Sequence, residues 1–256
     1  MTVRRVTIAA PEGLSAVPFV YGIEHANLLH ADLLLSSVPK TAEAFEAGRA
    51  DIALLDIGEL TRIKDADIVS SYCVGYNSAS GVCTIAGSVP PEKIERIFYT
   101  RDAFTESLYA GILVGKKRGV RAVAECVDSL PAKEDMKEGD ACIFTGRKAA
   151  ALSAGFTHVY DLAELWCKSE RLPLVQAVWV AGKSVDNATL DALEQSLTFS
   201  LEHMWEAAEG FSGEAAADAY DFLTCKTDYI FDNQKNKALK KFWDSGLKIT
   251  LRINPG

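Results

Sequence analysis

Short β-branched runs alternate with helix-type segments through the first third of the chain, and this alternation limits the fold more than any other feature. Val3 to Ala9 is apolar, β-branched and closed by Pro11-Glu12-Gly13, which predicts a buried strand. Ser15-Ala16-Val17-Pro18 reads as a helix start. Serine can cap there, and proline is tolerated in a first turn, where its missing N–H would be unbonded anyway. Phe19 to Leu29 supplies that helix. A strand over Asp32–Val38, a helix over Lys40–Ala47 ended by Gly48, a strand over Asp51–Leu55, a helix over Glu59–Ile63 and a strand over Ile68–Val74 follow. This βαβα order favours a parallel sheet covered by helices.

The middle third repeats the pattern. Strands are expected at Val82–Ala86, Ile97–Thr100, Ala141–Phe144 and Val175–Val180. Helices are expected at Glu106–Val114, capped by Thr105, at Gly146–Ala154 and at Asp161–Trp166. Ser129–Gly139 is charged, contains Pro131 and reads as a loop. The last third is mainly helical, at Asn187–Ala208, Gly213–Leu223 and Asn236–Trp243, with a closing strand expected at Leu247–Ile253. The polar stretch Ser78-Ala79-Ser80-Gly81 joins the two α/β stretches, and the chain returns after Gly182. The reading is therefore an α/β protein of two lobes, 1–80 with 183–256 and 81–182, with a cleft between them. Such clefts are where ligands bind.

Composition removes several function classes. A net charge of −8 over 256 residues argues against a uniform nucleic-acid surface. No run approaches the roughly 18 apolar residues of a membrane helix. The apolar run before Pro11 is shorter than a secretion signal requires, so a cytoplasmic protein is expected. The six cysteines form no CxxC and read as buried or half-buried thiols. The four histidines show no HxxxH or HExxH spacing, and no GxGxxG or GxxxxGK[ST] follows a strand. Neither a zinc site nor a nucleotide-phosphate loop is expected.

Five segments in order carry a family resemblance over roughly residues 3 to 182. Val17-Pro18-Phe19-Val20-Tyr21-Gly22-Ile23-Glu24 resembles LPFFYGLE, and Gly48-Arg49-Ala50-Asp51-Ile52-Ala53-Leu54-Leu55 resembles G-x-x-D-[IV]-A-L-[VL]. Tyr160-Asp161-Leu162-Ala163-Glu164-Leu165-Trp166 resembles YDLGEEW. Leu172-Pro173-Leu174 and Ala177-Val178-Trp179-Val180-Ala181 resemble LPFVFAVWVA. These are motifs of the chorismate dehydratases of menaquinone (futalosine-pathway) biosynthesis. The resemblance implies a periplasmic-binding-protein-like (type II) fold, dehydration of chorismate to 3-enolpyruvyl-oxybenzoate, a small carboxylate ligand, and no metal or organic cofactor.

The cleft positions depart from that family. Ser15 stands where the family has asparagine, Gly81 where it has serine after the first linker, Thr105-Glu106 where it has Thr-Ser, and Gly146-Arg147 where it has Gly-Asp. The resemblance makes Ser15 the catalytic candidate. Asn77, Ser80, Gly81, Thr105, Glu106, Gly146 and Arg147 become the ligand-binding candidates. Each has a plainer reading. Ser15 and Thr105 can be simple caps, Glu106 a first-turn acid, Arg147 a solvated charge, and Asn77 and Ser80 linker polarity. Serine alone is a poor base, so dehydration here would need a substrate that supplies its own carboxylate. The altered positions keep a second reading open: a non-catalytic binding protein of the same fold for a different small ligand.

Overall fold

The computed structural model describes residues 5–63, 66–119, 122–211, 213, 215–246 and 251–252. The chain forms two compact units, Met1–Gly75 with Val175–Asp232, and Tyr76–Leu174 with Asn233–Gly256. In chain order the first contributes β1 (Val6–Pro11), α1 (Val17–His25), β2 (Ala31–Ser36), α2 (Val38–Glu46), β3 (Ile52–Asp56) and β4 (Ala66–Tyr76), whose last residue opens the second unit. The second contributes β5 (Cys83–Gly87), β6 (Arg96–Tyr99), α3 (Phe104–Arg118), β7 (Val123–Cys126), β8 (Asp140–Thr145), α4 (Ala149–Ser153), β9 (His158–Asp161) and α5 (Leu162–Glu170). The chain returns through β10 (Leu174–Gly182) to α6 (Asn187–Glu202), α7 (Met204–Glu209), α8 (Ala216–Asp221) and β11 (Asp228–Ile230) of the first unit. It ends in the second with α9 (Asn233–Gly246) and β12 (Leu251–Arg252).

Among the described residues the strand orders are β11-β4-β10-β3-β1-β2 and β12-β7-β6-β8-β5-β9. β1 is parallel to β2 and β3, and β6 is parallel to β7 and β8. The sheets are nevertheless mixed, not purely parallel as the βαβα order suggested. β10 runs antiparallel to β3, and β5 antiparallel to β8 and β9. These two strands begin where the chain has just entered or re-entered a unit, so no crossover helix fixes their direction.

Other differences have local causes. β7, β9 and β11 were not expected: each is three or four residues long, carries a charged residue and lacks an apolar run like Ile97–Tyr99 or Ala141–Phe144. The expected helix over Asn187–Ala208 breaks at His203, whose ring stacks 3.8 Å from Phe199 and whose Nδ1 lies 2.8 Å from the Phe199 carbonyl. Of the strand expected over Leu247–Ile253 only Leu251–Arg252 is described, parallel to β7; 247–250 and 253 lie outside the described residues, as do Val3 and Arg4 at the start. The largest difference concerns α9, which was assigned to the first lobe. Its buried face carries Ala238, Leu239 and Phe242, and Phe242 packs 4.5 Å from Tyr109 of α3, which meets Trp166 at 4.7 Å. The chain thus passes between units three times, at Gly75/Tyr76, Leu174/Val175 and Asp232/Asn233, where two passages near Ser78–Val82 and Val180–Lys183 were expected.

In the first unit, Ile8, Ile52, Leu54 and Val178 fill the sheet core, and Phe19 of α1 meets Trp179 edge-on at 5.7 Å. α1 also lies against α6 so closely that a Cβ on Gly22 would stand 2.0 Å from Ser200 Oγ and 2.2 Å from the Ser196 carbonyl. This contact gives the glycine of the Tyr21-Gly22-Ile23 segment a packing reason. β4 carries a strained point at Ser70, with φ at 105°, held by Glu194 of α6. Glu194 accepts from the Ser70 hydroxyl at 2.7 Å and from the Ser71 N–H at 3.1 Å.

The second sheet is pinned across β6 and β8 by a forked pair. Arg96 Nε and Nη2 donate to Asp140 at 3.0 and 2.9 Å, and the Lys137 N–H donates to the same carboxylate at 2.8 Å. Burial pushes the Asp140 carboxyl up, but the Arg96 bonds and the Lys137 N–H outweigh it and hold its pKa below the ordinary value.

Two outcomes follow from this packing. Gly22→Ala is expected to destabilise the protein by about 1–3 kcal/mol in urea unfolding, because neither helix backbone can yield the missing space. A lowered carboxyl pKa contributes stability that is complete above the unfolded value of about 3.9 and is lost as pH falls through the folded value. Asp140→Asn is therefore expected to cost about 1.5–3 kcal/mol at neutral pH and to flatten the loss of stability below about pH 4.

Candidate functional site

β8 and β9 are both antiparallel to β5, and β6 is parallel to β8. Tyr99, Thr145 and Asp161 therefore end their strands at the same end of the second sheet, where β5 begins at Cys83. Carboxyl ends of parallel strands are where open α/β sheets bind ligands, since loops and helix N-termini collect there. Ser80 and Gly81 before β5, Thr105 and Glu106 in the first turn of α3, and Gly146 and Arg147 after β8 all gather at this end. Asn77 is exposed in the loop that leads to it.

Asp161 organises this edge. It is the N-cap of α5 and accepts from the Glu164 N–H at 3.0 Å. Its other oxygen accepts from the Gly81 N–H at 2.7 Å and the Ser80 hydroxyl at 3.3 Å. Gly81 has φ at 74°, a left-handed conformation that suits glycine and orients this N–H. The next carbonyl, that of Val82, accepts from the Gly146 N–H at 2.8 Å, and Gly146 is itself left-handed at φ 81°. The exposed Arg147 follows directly. Ser80 is 1% exposed, so its hydroxyl faces Asp161 rather than solvent.

The caps expected of Ser15 and Thr105 are not formed. α3 starts one residue earlier than Thr105, with Ala103 as N-cap and no side-chain cap bond, and Thr105 is buried inside the first turn. α4 begins at Ala149, beyond the Gly146 start that was expected. Ser15 belongs to the first unit, in a 3-10 turn over Leu14–Ala16. Ala16 is the N-cap of α1, again without a side-chain cap bond. The Ser15 carbonyl accepts from the Tyr229 hydroxyl at 3.0 Å, and its side chain is half-buried.

Electrostatically the second-unit edge is acidic. Glu106 is only 8% exposed. Burial pushes the Cys83 thiol well above its ordinary value, and the charges of Glu106 and Asp161 raise it further. Burial also raises the Tyr99 phenol to about 12. The edge thus holds a protonated thiol and a protonated phenol. It can bind and orient a polar ligand, but these two groups supply neither nucleophile nor base at neutral pH.

Other ionisable residues escaped the sequence reading. Asp56 ends β3 and Glu59 follows it; both are buried, the first accepting from Gln176 Nε2 and the second paired with Arg62. They stand at the carboxyl end of the first parallel strands, as Ser15 does, and the rule of looking just past each strand would have found them. Lys235, in the first turn of α9, is 1% exposed. No local pattern marks it, because lysine in an amphipathic helix normally reads as its solvated face. A shallow pocket of about 610 Å³ lies at the opposite end of the first sheet, beside Asp51 and Gly182, and holds none of the expected site residues.

The sequence profile of a family described as menaquinone biosynthesis matches residues 6–246. Comparison with curated proteins gives no significant match. Among solved structures, protein AF1704 from Archaeoglobus fulgidus is similar, at 14% identity over 96% of this chain and 98% of that one, with a TM-score of 0.73. So is the Candida albicans CA3427 gene product, described as having the generic periplasmic binding protein fold, at 12% identity over 98% and 99%, with a TM-score of 0.56. The alkanesulfonate-binding protein SsuA from Xanthomonas axonopodis pv. citri, bound to MOPS, matches at 14% identity over 94% and 91%, with a TM-score of 0.59. The fold is that of the periplasmic binding proteins. Among the described residues no helix is long and apolar enough to cross a membrane.

The thiols give a direct check on the site's electrostatics. Cys225 is exposed, contrary to the expectation of buried or half-buried thiols throughout, because it lies in a π-helical turn over Phe222–Lys226 at the surface. Burial raises Cys83, Cys126, Cys142 and Cys167. Brief iodoacetamide treatment at pH 7 is expected to alkylate Cys225 and leave Cys83 unmodified, as read by peptide mass spectrometry. Early labelling of Cys83 would contradict the acidic, closed edge described above.

Proposed function

The chain belongs to the menaquinone biosynthesis family, and from that premise we propose that it binds a small carboxylate at these strand ends and dehydrates chorismate to 3-enolpyruvyl-oxybenzoate. The observation that carries this reading is the family match over 6–246, supported by the framework segments around Gly22, Asp51, Asp161 and Trp179. In the reaction the ring hydroxyl departs as water, the proton leaves the carbon bearing the enolpyruvyl ether, and the ring becomes aromatic. No oxidation or reduction is involved, and the atoms balance without a cofactor. A carboxylate of the substrate takes the proton, while the protein orients the ring and stabilises charge. Arg147 pairs with a substrate carboxylate.

Glu106 favours a second reading. A buried carboxylate at this edge repels a carboxylate ligand and accepts from a hydroxyl or ammonium group instead. On this reading the protein binds a different small molecule without turning it over. Structural neighbours that bind small molecules support ligand binding in either case.

Incubation with chorismate, followed by loss of the diene absorbance and appearance of the aromatic product, separates the two. Turnover on the order of 1 per second or faster supports the dehydratase. Arg147→Ala is expected to weaken chorismate binding by about ten- to a hundred-fold, and Ser15→Asn with Glu106→Ser to raise turnover. Absent turnover, together with tight binding of an unrelated small molecule, would establish the binding protein.

A further inference from the structure

We infer that Asp161 is a positioning residue for the ligand site of the second unit, acting through the Ser80–Val82 loop on Gly146 and Arg147. The inference rests on the reading of this strand end as the ligand site. It was not visible in sequence, where Asp161 opens an expected helix over Asp161–Trp166 within a framework segment.

The hydrogen-bond chain carries the argument. One carboxylate oxygen serves the helix, through the Glu164 N–H at 3.0 Å. The other serves the loop, through the Gly81 N–H at 2.7 Å and the Ser80 hydroxyl at 3.3 Å. Ser80 Oγ in turn accepts from the Val82 N–H at 3.3 Å, and the Val82 carbonyl accepts from the Gly146 N–H at 2.8 Å. A residue that only capped α5 would need the first of these bonds. The rest reach two left-handed glycines, Gly81 and Gly146, at φ 74° and 81°. Arg147 is attached directly to the second of them. Its side chain is long and exposed, so the direction in which it leaves the backbone is what the fold can preset. Asp161 also engages the N–H of Gly81, one of the ligand-binding candidates. This edge offers a ligand the Arg147 turn rather than the Gly81 amide.

The test uses amide exchange and ligand binding on the whole chain. Asp161→Asn keeps an oxygen for the α5 cap but turns an amide group toward the loop donors. It is expected to speed exchange of both the Gly81 and Gly146 amides by about tenfold, with β6 amides unchanged. Ser80→Ala leaves the cap intact and is expected to act in the same direction, more weakly. An unchanged Gly146 amide in Asp161→Asn, or exchange that rises equally throughout the chain, would overturn the inference. In binding, Asp161→Asn and Arg147→Ala are expected to be non-additive for chorismate, because the first already misplaces the second; additive losses would count against it. If the unaltered protein does not bind chorismate, the proposed function fails, and the exchange of Gly81 and Gly146 still decides the role of Asp161.

Discussion

Parallel strands cannot be joined by tight hairpins, so each connection must travel back across the sheet, and every strand then ends at the same edge. That constraint builds the candidate site in each unit. In the first, β1 and β3 end beside Ser15, Asp56 and Glu59. In the second, β6, β8 and β9 end beside Glu106, Arg147 and Asp161. The antiparallel strands β5 and β10 do not disturb the arrangement, because they enter from the connections between units and leave the parallel strands to set the edge. Polar residues with little in common in sequence come together because a shared strand direction delivers them to one place.

The second-unit edge also shows how a buried acidic environment is made tolerable. Asp161 has its oxygens occupied by N–H and O–H donors, and Asp140, at the opposite end of the same sheet, is held by the Arg96 fork. Burial first, and then the charges of Glu106 and Asp161, raise the thiol at Cys83. The chemistry left to such a site is orientation and charge placement, consistent with a reaction in which the substrate brings its own base.

Much of the fold was legible because the motifs are local devices. Gly48 ends α2 at φ 68°, and Asp51 accepts the Thr7 N–H at 2.9 Å across the sheet, so the Gly48–Leu55 segment states a helix stop and a strand start within a few residues. Trp166 is buried and donates to the Pro173 carbonyl at 3.0 Å, which ties the Tyr160–Trp166 segment to the one that follows. What was not legible depends on distant partners. Strands as short as β7 and β11 exist only because a neighbour supplies their hydrogen bonds. The side on which α9 packs is decided by Tyr109, more than a hundred residues earlier. The candidate site positions came from the resemblance, and the sequence could not tell that Thr105 is buried, that the Gly81 N–H is engaged, or that Lys235 is enclosed.

The three passages between units shape how this chain can be made. The first unit lacks β10, α6 and β11 until Asp232 has been synthesised, although its first four strands come earliest. The second unit has most of its sheet by Leu174 but waits for α9 before the aromatic face of Tyr109 and Trp166 is covered. A nascent chain on the ribosome therefore carries two unfinished bodies at once, and α9, emerging after the first unit is whole, closes the one begun second. Contacts of such long sequence separation slow folding and leave apolar surface uncovered for longer. A truncation just before Asn233 would leave the first unit whole and the second open along α3, making a chaperone substrate of a chain that lacks only its final helix and the residues after it.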